Sequence, residues 1–166
     1  IVYGNGIAIG GIKYGLFFVD RHSRYKILIG LKNLSSSTLQ QAMKKFIRKI
    51  GFFPKELIAD RDFKLIGDSI DTILAPHTQV SGAPGGRQSQ NGLSEANWKY
   101  VCNIARGYLA EHLLPPKFLF FALQYAVQVA NYLPLKTSNG LLTTSFFNGD
   151  LSLLRRTVSA LASASK

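Results

Sequence analysis

The sequence predicts an α/β fold, a mixed five-stranded sheet flanked by helices. Three observations carry this. β-rich runs cluster in the first 31 residues. Helical periodicity then alternates with short apolar strands. Two long helical segments, separated by Pro115-Pro116, close the pattern. The resulting order is β, β, β, α, β, α, β, α, α.

Residues 1–9 hold the remains of a first strand, and Gly10-Gly11 reads as a turn. Residues 12–19 (Ile-Lys-Tyr-Gly-Leu-Phe-Phe-Val) are β-rich and end at Asp20. Arg21-His22-Ser23-Arg24 is a polar turn, and 25–31 returns as the partner strand of a hairpin. Ser35 to Ser37 offer an N-cap for a helix over 38–50. Leu39, Ala42, Met43, Phe46, Ile47 and Ile50 recur there at helical spacing, and Gly51 closes it. Met43 therefore belongs to the core. Lys44, Lys45, Arg48 and Lys49 cover the other face, which reads as solvated surface.

Pro54 precedes a strand over 55–59. A short helix is expected over 65–73 and a brief strand at Leu74-Ala75. Residues 76–91, with Gly82, Pro84, Gly85 and Gly86, read as a loop. A long helix follows over 93–112, and Pro115-Pro116 opens another over 117–132, ended by Leu133-Pro134. One domain over 1–150 is expected, with 151–166 a Ser/Ala/Leu-rich low-complexity tail.

The chain is long enough for one core, and 46% apolar with 11% aromatic residues excludes a disordered polymer. No apolar run reaches the roughly 18 residues of a membrane span. The single cysteine, Cys102, excludes an internal disulfide framework and a Cys-rich zinc site. It reads as a small core residue on a helix. Net charge is +11, which favours a polyanionic partner, chiefly nucleic acid. Five of the nine acids (Glu56, Asp60, Asp62, Asp68, Asp71) fall within 16 residues. An acidic cluster in a basic chain suits a metal pocket on a DNA-binding surface, or one solvated helix face.

The sharpest chemical signal is a pair of carboxylates. Asp60 ends the apolar run Leu57-Ile58-Ala59. Glu95 follows Gln90-Asn91-Gly92-Leu93-Ser94, in the first turn of a helix that a Gly-rich loop leads into. The two are separated by 34 residues. That spacing alone is unspecific, and its local context sharpens it. Phosphodiester chemistry needs an activated oxygen nucleophile and a stabilised leaving oxygen, which two Mg²⁺ ions can provide. Mg²⁺ prefers carboxylate oxygens, and a rigid strand and helix would hold them accurately. Such sites usually take a third carboxylate. Asp62 competes with Asp60, but Arg61-Asp62-Phe63 looks like the turn. Asp20 reads as a hairpin-turn acid bonded to nearby backbone or Arg24.

Glu95, Lys99, Asn103 and Arg106 share one helical stripe, on which Lys99 and Arg106 could hold phosphates. Asn91 is a further candidate DNA contact. Trp98 and Tyr100 could stack on bases, yet Trp98, Val101, Cys102 and Ala105 look like the core face. His22, His77 and His112 have no partner at metal-ligand spacing. No nucleophile elbow or phosphate-binding loop is present.

Several short segments share a further likeness. Gly10-Gly11-Ile12-Lys13-Tyr14 with Val19-Asp20-Arg21-His22-Ser23-Arg24, then Ile58-Ala59-Asp60, then Gln90 to Glu95, are three of them. Leu114-Pro115-Pro116-Lys117-Phe118 and Ala130-Asn131-Tyr132-Leu133-Pro134 are two more. Together they resemble the catalytic core of retrotransposon integrases of the copia type, over about residues 1–150. The resemblance implies an RNase H-like fold with two-metal catalysis by Mg²⁺ or Mn²⁺. It implies 3′-end processing of element DNA and its joining to a target duplex. It implies a homo-oligomeric DNA complex and a polyprotein origin. Nuclear action after cytoplasmic particle assembly also follows, with no membrane role. Asp60 and Glu95 take the second and third positions of the family's acidic triad, and Lys99, Arg106 and Asn91 the DNA side.

Departures from the pattern are also present. The family's first catalytic Asp lies some ten residues before the Gly-Gly turn, at or before Ile1. The first strand is thus expected to be truncated and the segment inactive by itself. Asp20 matches a different position. Ala96 stands where the family often has Arg, and the 78–89 loop is longer than usual. Two other readings stay open: a decayed or domesticated core that only binds DNA, and an RNase H-like nuclease that hydrolyses without joining.

Overall fold

The structure, a computed structural model, describes residues 8–59, 73–74, 77–82, 92–133 and 157–163 of the chain. Five strands form one mixed sheet in the order β2-β1-β5-β3-β4. They are β1 (Tyr14–Asp20), β2 (Lys26–Leu31), β3 (Glu56–Ala59), β4 (Gln79–Gly82) and β5 (Thr157–Ser163). Three long helices accompany them: α1 (Ser36–Ile50), α2 (Gly92–Glu111) and α3 (Leu119–Tyr132), the last entered through a 3-10 turn at Pro116–Phe118.

The hairpin forms as the two β-rich runs and the polar turn between them predict. β1 and β2 pair antiparallel from Tyr14↔Leu31 to Val19↔Lys26. Period 2 sends alternate β1 residues to opposite faces. Leu16 and Phe18 join Leu39, Met43 and Phe46 of α1 on one face. Phe17 and Val19 join Val101 and Ala105 of α2 and Leu123 and Ala126 of α3 on the other. Each large side chain buried this way contributes about 1.5–3 kcal/mol. Phe18 stacks on Phe46 at 4.1 Å between ring centroids.

α1 carries both of its expected end signals. Ser35 accepts at the N-cap from the Thr38 amide, and Gly51 closes the helix at φ 79°. Met43 is fully buried, as expected of a core residue. α3 approaches β2 closely because Gly30 has no side chain. A Cβ there would lie 2.5 Å from the Phe120 ring.

Two parts of the sheet differ from the sequence reading. The strand expected at Leu74-Ala75 is absent at Leu74, which is helical with Ile73, while Ala75 lies outside the described residues. The chain turns there instead. The His77 and Thr78 amides donate to the Leu74 carbonyl, and the Gln79 amide reaches Lys55. The strand is β4, inside the segment read as loop. It pairs parallel with β3 from Glu56↔Gln79 to Ala59↔Gly82. Its Gln-Val-Ser-Gly sequence has one apolar residue, so pairing, not propensity, makes it a strand. The expected helix over 65–73 lies outside the described residues except for Ile73.

The second difference is β5. It comes from the segment set aside as a low-complexity tail and lies in the middle of the sheet. It runs antiparallel to β1, from Gly15↔Ser163 to Asp20↔Val158. It runs parallel to β3, from Glu56↔Thr157 to Ala59↔Ala160. β4 and β5 were thus not among the expected strands, and the first expected strand, over 1–9, lies outside the described residues except for Ala8 and Ile9.

Candidate metal and nucleic-acid site

α2 is held against the sheet by its inner face. Val101 and Ala105 are fully buried, and the half-buried Trp98 meets Phe17 edge-on at 5.1 Å. Trp98 is thereby a packing residue. Cys102 is half-buried beside the same cluster, and burial pushes its thiol pKa up, against a smaller opposing effect of Arg106. It packs against the core from a helix, as the sequence suggested, but is only partly buried.

Anchoring the inner face fixes what the outer face presents. Glu95, Lys99, Asn103 and Arg106 are all exposed, while Ser94 is buried beside Glu95. The Asn97 side chain donates to the Leu93 carbonyl at 2.8 Å within the first turns. A carboxylate in a first turn is favoured by the helix dipole whether or not it binds anything. The exposed cations four and eleven residues further on add a surface suited to phosphates.

Asp60 and Asn91 lie outside the described residues. Asp60 follows Ala59, the last residue of β3, and Asn91 precedes Gly92, the first of α2. Among the described residues no group of three or more His, Cys, Asp or Glu could hold a metal ion. The described residues alone therefore do not form a metal site. Of the proposed ligands, they supply Glu95.

Asp20 is the other strand-end acid, and it sits elsewhere. It is 3% exposed and shares a small cavity with Phe18, Ile27 and Phe46, on the α1 face. α2 packs on the opposite face, against Phe17. Asp20 Oδ2 accepts from the Ser23 amide at 2.8 Å and from the Ser23 hydroxyl. The Asp20 amide donates to Tyr25 and its carbonyl accepts from Arg24, both at 2.9 Å. Arg24 adopts φ 62°, a left-handed turn position. Asp20 thus organises the hairpin turn, bonded to nearby backbone and to Ser23. The central strand β5, Thr-Val-Ser-Ala-Leu-Ala-Ser, brings no acid to the sheet either.

The residue that sequence reasoning missed is Lys26. It is 1% exposed, and its Nζ donates to the Arg24 carbonyl at 2.9 Å. Burial first, and Arg24 second, lower its pKa from 10.5 to about 8. A signal was present. Lys26 alternates with Leu28 at period 2, so a lysine occupies an inward position of a strand.

No protein-family model matches the sequence, and no curated protein matches it significantly. Solved structures do match by shape. The HTLV-2 integrase catalytic core domain in complex with magnesium, in its trimeric form, aligns with a TM-score of 0.62 at 20% identity. The alignment covers 83% of this chain and 87% of that one. The dimeric form of the same domain aligns at TM-score 0.62 and 21% identity, over 82% of this chain and 86% of that one. A chain of the simian T-cell lymphotropic virus intasome, in complex with PP2A regulatory subunit B56 gamma, aligns at 0.63 and 18% identity. That match covers 86% of this chain and 50% of the other. The chain thus has a mixed α/β fold similar to retroviral integrase catalytic cores.

Proposed function

We propose that the chain is an integrase catalytic core of the copia retrotransposon type, with an RNase H-like fold. Its activity would be metal-dependent polynucleotidyl transfer: processing of element 3′ ends and joining to target DNA. The observation that carries this reading is an integrase-core-like fold in which α2, packed on the sheet, presents Glu95 exposed in its first turn. Asp60 and Glu95 would hold Mg²⁺ or Mn²⁺. When bound, the metal would activate the attacking oxygen and stabilise the leaving one. Lys99 and Arg106 would position phosphates along the outer face of α2, with Asn91 at its start. The charge of +11 supports a DNA partner. Neighbours solved as a dimeric form, a trimeric form and an intasome support a homo-oligomeric DNA complex, and such a complex would act in the nucleus.

One observation favours a second reading, a core that only binds DNA. The third acid of the expected set comes from neither β1 nor β5. DNA binding measured against salt, with and without Mn²⁺, separates the two. The catalytic reading expects salt-sensitive binding that Mn²⁺ strengthens in the wild type and not in Asp60→Asn or Glu95→Gln. Equal Mn²⁺ response in all three proteins contradicts it. Incubation with a target duplex adds a covalent readout. Joined products support transfer, while shortened strands without joining support an RNase H-like nuclease.

A further inference from the structure

A cavity of about 450 Å³ lies beside β2, the strand at one edge of the sheet. Its walls include Tyr25, Lys26, Lys49, Gln124, Gln128 and Tyr132. They come from β2, its preceding turn, α1 and α3, and none from β3 or α2, so the cavity is separate from Glu95. Asn131 closes one part of it. Its side chain accepts from the Lys26 amide at 2.9 Å and donates to the Lys26 carbonyl at 2.8 Å. That pair of bonds does for the strand edge what a neighbouring strand would do, and it fixes Lys26 in place.

We propose that this cavity binds a small ligand through an oxyanion, a phosphate or a carboxylate group. Among the described residues the lining holds two lysines and no acid. Every polar side chain in it can donate a hydrogen bond. Lys26 is almost fully buried, and among the described residues its Nζ makes one hydrogen bond, to a neutral carbonyl, and no ion pair. Burying an ammonium without a counter-charge is costly. A bound oxyanion supplies that counter-charge. Lys49, exposed at the rim, would meet it directly, and the buried Lys26 would act from below through a low-dielectric wall. The volume exceeds that of a bare phosphate, leaving room for a small organic body between Tyr25 and Tyr132.

The test is titration of the chain with inorganic phosphate and, separately, sodium acetate. Both are followed by amide NMR against sodium chloride of matched ionic strength. The expected result is saturable shifts at Tyr25, Lys26, Lys49 and Gln128 with at least one of the two anions. Saturation by phosphate alone identifies a phosphate site, by acetate alone a carboxylate site, and by both the shared chemistry. Lys49→Ser, which alters an exposed side chain, is expected to weaken binding about tenfold, the loss of one charge-assisted bond. Lys26→Met keeps the aliphatic stem and is expected to abolish it. Glu95→Gln is expected to bind as the wild type does, which keeps this site distinct from the metal reading. Absence of saturation with both anions, or wild-type affinity in Lys49→Ser, overturns the proposal.

Discussion

The hairpin end of β1 and the start of α2 each carry a carboxylate, and the two are used in opposite ways. Asp20 is buried and accepts two hydrogen bonds from Ser23, on the face covered by α1. Glu95 is exposed in the first turn of a helix packed on the other face. Sheet register separates Asp20 from the end of β3 as well. Asp20 is level with Val158, which is level with Leu57, whereas Ala59 pairs two rungs further along. Two strand spacings of about 4.8 Å and two rungs of about 3.3 Å put these positions roughly 12 Å apart. An acid at the end of an apolar strand is thus not a site by itself. Face and register decide whether it can share a metal ion.

The comparison can be broken at several strengths. The largest effect is expected where both halves meet. Phe17 is fully buried between β1 and α2 and touches Trp98. Phe17→Ala should cost about 3–5 kcal/mol in urea unfolding and loosen the support of α2. Asp20→Ala should cost about 2–3 kcal/mol, because it leaves the buried Ser23 donors without their acceptor. A cost near zero would remove Asp20 from the hairpin and reopen it as a site residue.

A smaller effect follows from Lys26. Its folded pKa of about 8 lies below the ordinary 10.5. Between these values the unfolded chain binds more protons than the folded one, so stability should rise as pH increases through that window. Above pH 10 Tyr25, whose pKa is raised by burial and then by Tyr132, acts in the opposite direction. Lys26→Met should flatten the rise between pH 8 and 10, measured by urea midpoints.

Much of the hairpin and helix framework was legible in the sequence. β-rich apolar runs located β1 and β2, whose residues are buried on both faces of the sheet, and Ser35 and Gly51 framed α1 through its own end signals. β4 and β5 were not legible. Val80 is the one apolar residue of β4, and β5 is built of Ser, Ala and Thr with one Val and one Leu. Their conformation follows from pairing with neighbouring strand edges, which composition does not encode. For the candidate site, the sequence placed Glu95, Lys99 and Arg106 on one helical stripe, and all three are exposed. It did not single out Lys26, although its step with Leu28 marked an inward position, because burial without a counter-charge among the described residues is a property of the packed cavity.

Mn²⁺ titration of the chain, followed by paramagnetic broadening of amide NMR signals, tests the proposed metal site most directly. The expected result is saturable broadening centred on Gly92, Glu95 and Ala59. It should be lost in Glu95→Gln and Asp60→Asn and kept in Asp20→Asn. Broadening centred on the hairpin at Asp20, or a pattern unchanged by Glu95→Gln, would contradict the account.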